Sequence, residues 1–381
     1  MNPLILPDVS SLAGVEDLIH RVVDGKGAPL QLNKDFVSRR KGAMHDAARL
    51  QLLVTWARLA NERKLHFHSA NVVNSVLEEL CDYAPGITAL RLSDGVVIGE
   101  QFISRRDALE PASTKMGHTD GMSWRSVIKG RTIDFTCVSG SKVQYLTPLF
   151  FARNKKSVKR KNGMFIVLNE LSEFVAKADA EHIPQSFTKA CAVFASELLK
   201  NTQEHATSDH QNQPYLAHAE GLIISWKEMD EESYSADFEG HPLLQDFWRR
   251  ELVPVRSGQG KALRCLQLSF FDTGPGFASR AKGKSVDELS LQEEREALLE
   301  SLQKNVSTKR EAGSGNGLPD VLEELRAVGG LIRIRSGRQS IFNAFMPADK
   351  RGAFSFEDWP SSKPLAAAAG AVVSLLIPIR R

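Results

Sequence analysis

Leu266-Gln-Leu268-Ser-Phe270-Phe271-Asp272-Thr-Gly274-Pro-Gly276 reads as a strand that ends on a carboxylate and runs into a glycine-rich turn. Leu266, Leu268 and Phe270 recur at every second residue, which predicts a strand with one apolar face. Gly274 and Gly276 allow positive φ and let another backbone or a ligand come close. A carboxylate fixed at such a junction accepts a hydrogen bond from an exocyclic amine such as that of adenine. Hydrogen bonds to charged groups are worth about 1.5–3 kcal/mol, enough to discriminate between bases. The same residues also fit an ordinary β-turn, so the flanking segments decide between the two.

Upstream, Ala190, Val193, Phe194, Leu198, Leu199 and Ala206 recur at helical spacing and predict an amphipathic helix over residues 186–206. It contains Glu197-Leu-Leu-Lys-Asn201-Thr-Gln-Glu-His205, in which Glu197 and Asn201 share a face one turn apart. Asn201 offers a neutral oxygen to Mg2+, whose remaining positions phosphates and waters fill. Glu197 can accept a proton from an attacking water. Alone, the pair is equally a solvated polar stripe. Downstream, Gly313-Ser-Gly315-Asn-Gly317 leads directly into a helix marked by Leu318, Val321, Leu322 and Leu325, with Pro319 in its first turn. Free N–H groups at a helix start, preceded by glycines, form an anion cradle. Ser307-Thr308-Lys309-Arg310 adds hydroxyls and positive charge beside it, and Gly329-Gly330 closes the helix before the strand Leu331-Ile-Arg-Ile-Arg335.

In this order the three segments resemble the N-box, the Asp-x-Gly-x-Gly box and the second glycine box of the gyrase, histidine-kinase and MutL ATPase superfamily. The resemblance implies an α/β chain whose C-terminal part is a Bergerat-fold sandwich, a mixed sheet covered by helices. It implies ATP and Mg2+ as cofactors, with Asn201 as metal ligand, Asp272 as adenine-amine acceptor and Gly274 and Gly276 shaping the base pocket. Gly313, Gly315 and Gly317 would close the phosphate lid, and Glu197 stands where hydrolysing branches carry their general base. Val306-Ser-Thr308-Lys309 resembles a sensor-kinase lid, which brings Thr308 and Lys309 to the phosphates. Gly370-Ala-Val-Val-Ser-Leu-Leu-Ile-Pro-Ile379 resembles the family's closing strand, with Ala371 where many members have threonine. The likeness covers about residues 180–381. Residues 229–262, with mixed charge and Trp248, read as an insertion before the strand resumes at Leu263.

The expected division is a smaller α/β domain over 1–125 and the ATPase-like domain over 126–381. In the first, 30–33 and 64–69 alternate like strands, while 43–60 and 71–83 have helical periodicity. That order is faintly similar to a STAS-type domain. A chain of 381 residues is long enough for two domains. With 42% hydrophobic and 25% charged residues it has the composition of a globular protein, and its net charge of +3 demands neither a nucleic-acid nor a membrane partner. Cys81, Cys137, Cys191 and Cys265 are widely spaced and form no metal-type pairs, which points to a reduced, cytoplasmic protein. Residues 364–379 are apolar but too short to span a bilayer and read as a buried strand.

His45 reads as a surface histidine, His205 as a packing or capping residue, and no partner residue makes His66 and His68 a metal site. Arg153 and Lys155-Lys-Ser-Val-Lys-Arg-Lys161 form a basic run that reads as a solvated loop between strands, or else as a phosphate-backbone contact. Residues 280–317, rich in charge and glycine, read as a mobile lid with few apolar anchors. The expected function is a Mg-ATP-dependent switch that hydrolyses slowly and acts on a protein partner, STAS-like by the resemblance. Phosphotransfer to serine or histidine is the alternative, an ATP-switched nucleic-acid clamp another, and a homodimer is compatible with each.

Overall fold

The computed structural model describes residues 2–380 except 26, 39–41, 69–71, 153–154, 256–259, 308–316 and 347–350. The chain is α/β, and its described residues form two large sheets and a two-stranded one. The first is five-stranded, in the order Leu4–Ile5, Leu30–Gln31, Lys64–Phe67, Gly95–Ile98 and Gln101–Ser104. Its first four strands are parallel and the fifth is antiparallel. Parallel neighbours need crossovers, which the helices Leu12–Asp24, His45–Leu59, Val73–Asp82 and Ala84–Leu92 supply.

The second sheet has eight strands. Its path runs through Glu357–Asp358, Gln339–Ala344, Leu331–Gly337, Ala368–Pro378, Lys261–Asp272, Ala219–Met229 and Thr132–Val138, and Leu252–Pro254 also pairs with Lys261–Asp272. All these pairings are antiparallel. On its front face Leu222, Ile224, Leu266, Leu268, Phe270, Val373 and Leu375 join one apolar core with the helices Lys161–Ala176, Gln185–His205 and Gly317–Val328. The strand expected to resume at Leu263 begins at Lys261, and the closing strand is Ala368–Pro378.

The back face is covered by the N-terminal helices, chiefly His45–Leu59, which lies between the two sheets. Every residue of this helix from His45 to Ala57 is buried, the mark of an interior helix. Its polar residues therefore need partners. Asp46 pairs with Lys227 at 3.3 Å, Gln51 donates to the Arg335 carbonyl at 3.1 Å, and Thr55 Oγ1 accepts the Ala369 N–H at 3.0 Å. The preceding Met44 N–H donates to Gln267 Oε1 at 2.8 Å.

Three sequence expectations are corrected here. His45 is 3% exposed rather than a surface residue, because its helix is interior; its Nε2 lies 2.6 Å from Asp237 Oδ2. Asp237 belongs to the expected insertion, which folds into the helices Glu231–Phe238 and Pro242–Glu251 and also accepts the Leu12 N–H at 2.7 Å. The basic run is not a loop, since Lys155–Val158 is itself a strand paired with Phe150–Ala152 and a helix starts at Lys161. Residues 280–307 do have anchors. The helix Leu291–Ser307 buries Ala297, Leu298 and Leu302, and its buried Glu294 bonds the Arg338 side chain at 2.7 Å.

Candidate functional site

Asp272 ends its strand opposite Ala371 on one side and Glu220 on the other. Its carboxylate accepts the Gly274 N–H at 2.9 Å. Burial pushes its pKa up, opposed by the Gly274 N–H, the nearby Arg280, the Ala371 N–H and Arg58. Beside it is a cavity of about 20 Å³ lined by Leu198, Thr202, Gly221, Asp272, Phe277 and Ala371, among others. That volume accepts a water and not a purine, so a base can enter only if the walls part. Ala371 leaves the closing-strand side of the cavity without a hydroxyl, and the Thr202 hydroxyl is engaged with the Leu198 carbonyl at 3.0 Å.

The turn after Asp272 packs on the helix Gln185–His205. A Cβ on Gly274 would lie 2.6 Å from Ala206 Cβ and 2.8 Å from its Cα, so only glycine fits there. Gly276 has φ +85°, and a Cβ there would meet Ser336 Oγ at 2.7 Å. That same hydroxyl accepts the Phe277 N–H at 3.0 Å and fixes the far end of the turn.

Gly317 meets the same helix further back. The Gly317 N–H donates to Glu197 Oε2 at 3.0 Å, and a Cβ on Gly317 would lie 2.6 Å from that oxygen and 2.9 Å from Phe194 Cα. Gly317 is the first residue of its helix, so Glu197 places a carboxylate on the positive end of a helix dipole. Asn201 lies one turn on, partly buried. Thr308, Lys309, Gly313 and Gly315 lie outside the described residues. Among the described residues no three His, Cys, Asp or Glu side chains gather to hold a metal, His66 and His68 included. A divalent ion here would rely on phosphate oxygens, with Asn201 as the neutral protein ligand.

Comparison with protein-family models, with curated proteins and with solved structures finds no match. The site therefore rests on its own geometry. Two larger cavities, of about 510 and 730 Å³, flank residues 359–365 and share no residue with the Asp272 cavity. Size alone favours them. Several of the charged groups in and beside their walls are, however, already paired: Glu16 with Arg333 and Arg335, Asp17 with Lys363, and Arg295 with Asp358. Among the described residues no helix is long and apolar enough to cross a membrane.

Sequence reasoning missed four contributors. Gly221 carried a signal, a lone glycine inside a strand; a Cβ there would sit 2.8 Å from the Phe271 ring. Arg280 and Ser336 carried none. Nor did Arg58, whose partner Thr273 is 215 residues away.

Proposed function

We propose that the chain binds Mg-ATP along the helix Gln185–His205 and uses the nucleotide as a conformational switch with slow hydrolysis. One observation supports this above the others: one residue from each of two motif segments far apart in sequence packs along one helix and its C-cap, Gly274 against Ala206 and Gly317 against Glu197. Nine residues separate these points, about 13 Å along the axis at the usual rise, which gives an extended nucleotide room for its base at one end and its phosphates at the other. In this reading Asp272 accepts from the adenine amine, Asn201 ligates Mg2+, and Gly317 helps to cradle phosphate.

Glu197 has two uses in this scheme. It caps the Gly317 helix when no phosphate is there, and it accepts a proton from water once phosphate takes the N–H groups. A base that must first leave a helix cap fits a slow switch better than a fast enzyme. Phosphotransfer to His45 of the same chain is disfavoured by its burial and its bond to Asp237. Incubation with γ-labelled ATP and Mg2+ tests the scheme. Free phosphate is expected from the wild type and about 10²–10⁴-fold less from Glu197→Gln. Label on a partner protein with no free phosphate would replace hydrolysis by phosphotransfer.

A further inference from the structure

The last turn of the interior helix His45–Leu59 carries Arg58 to the back of the Asp272 turn. Its Nη2 donates to the Thr273 carbonyl at 2.8 Å and to the Ala217 carbonyl at 3.1 Å, and its Nε donates to the Thr273 carbonyl at 3.2 Å. The guanidinium lies 3.7 Å from the Tyr215 ring centroid. Thr273 Oγ1 in turn accepts the Ala219 N–H at 2.9 Å. One cation thus joins the turn after Asp272 to the segment that leads into strand Ala219–Met229. Burial brings Arg58 down to about 10, so it stays charged at neutral pH.

Two further side chains of the same helix hold the other walls of the cavity. Thr55 accepts the Ala369 N–H, two residues before Ala371. Gln51 donates to the Arg335 carbonyl, next to Ser336, whose hydroxyl fixes Phe277. Thr273, Ala369 and Arg335 belong to three different segments, and each adjoins the base cavity or the turn that forms it. Charge-assisted bonds to carbonyls are stronger than neutral ones, which makes Arg58 the firmest of the three grips.

We infer that Arg58 is a positioning residue for the base end of the site, and that the N-terminal part of the chain, which builds the five-stranded sheet, sets nucleotide affinity through it. The inference rests on the nucleotide-binding reading above and adds the element that regulates it. A shift of this helix moves the turn that must yield before a purine can enter. The phosphate end, where Gly317 meets Glu197, makes none of these bonds with Arg58, so loss of Arg58 affects base and phosphate binding differently.

The test uses the full chain, wild type against Arg58→Gln, Arg58→Lys and Arg91→Gln. Arg91 is a comparable cation whose bonds go to Ser139 and Leu216 instead. Calorimetry measures Mg-ATP and Mg-tripolyphosphate, and hydrogen exchange follows residues 270–280 in the nucleotide-free protein. Arg58→Gln is expected to weaken ATP at least tenfold, about 1.4 kcal/mol, with tripolyphosphate binding unchanged and exchange over 270–280 faster. Arg58→Lys should recover part of the loss, and Arg91→Gln should match wild type. Unchanged ATP affinity in Arg58→Gln overturns the inference, as does equal weakening of ATP and tripolyphosphate. A wild type that binds neither ligand defeats the nucleotide reading instead; the positioning claim is then decided by exchange, where an unchanged rate in Arg58→Gln overturns it.

Discussion

The two faces of the eight-stranded sheet are both buried, yet they are built from different chemistry. The front face presents Leu266, Leu268, Phe270, Val373 and Leu375 to its helices. Besides apolar residues such as Ile223, Leu263, Phe271 and Leu376, the alternate positions on the back present Gln267, Ser269, Ser374, Lys227, Arg333 and Arg335, all nearly inaccessible. These are met by the interior helix and by Glu16, which bonds both arginines. An apolar face is tolerant, since any well-packed hydrophobe of the right volume serves. A polar buried face is exacting, because each group must find its partner. Both faces supply adhesion, and the polar groups on the back add a second task, fixing how the N-terminal part of the chain is set against the sheet.

The largest expected effect tests that contrast directly. Lys227 is 1% and Asp46 8% exposed in their ion pair. Lys227→Met should cost about 3–5 kcal/mol by taking its cation partner from a buried carboxylate, and Asp46→Leu together with Lys227→Met should cost less than Lys227→Met alone. Denaturant unfolding measures both. A neutral Lys227→Met would mean that the back face is no more exacting than the front.

On the front, Gly274→Ala puts a methyl against Ala206. The expected cost is about 1–3 kcal/mol of overpacking, with loss of ATP binding, and thermal and calorimetric titrations report the two separately. Full ATP affinity in this variant would detach the turn from the site.

Protonation gives smaller, signed effects. Asp272 is raised from the usual aspartate range, so its acceptor form is lost sooner on acidification. ATP affinity should hold at neutral pH and fall at a pH above the ordinary value of about 4. Glu16 behaves oppositely. Burial pushes it up, but Arg335 and Arg333 outweigh that and leave it lowered. Its contribution is therefore complete above the ordinary glutamate value of about 4.3 and is lost only as pH falls through the lower folded value. An affinity limb at or below the ordinary aspartate range would contradict the account of Asp272.

The smallest effect is an expected silence. Burial pushes the Cys81 and Cys265 thiols up to about 12 and raises Cys137 and Cys191 as well. A thiol-reactive chromophore should label none of the four in the native protein at pH 8 and all four after unfolding. Rapid labelling of Cys265 would show the back face open to solvent.

The front face was largely legible in the sequence. The helix read over 186–206 is Gln185–His205, and the alternation around Phe270 and the Gly317 helix start were also visible, because local periodicity and glycine placement encode them. The back face was much less so. Apolar positions such as Leu50, Leu53 and Val54 marked the interior helix, but nothing local showed that Asp46, Gln51 and Thr55 are buried too. Their partners lie 181 to 314 residues away. Alternation of polar with apolar residues normally signals a solvent-facing side, and here a second sheet's helix takes the solvent's place. The same long-range pairing concealed Asp237 beside His45 and Arg58 beside Thr273.

The most direct test of the nucleotide reading is calorimetric titration of Mg-ATP and Mg-GTP into wild type and Asp272→Asn. The wild type is expected to bind ATP and to prefer it to GTP, because guanine offers a carbonyl where adenine offers the amine that Asp272 accepts. Asp272→Asn should weaken ATP by about tenfold or more, the scale of a charged hydrogen bond. Equal affinity for the two nucleotides, or an Asp272→Asn protein that binds ATP like wild type, would contradict it.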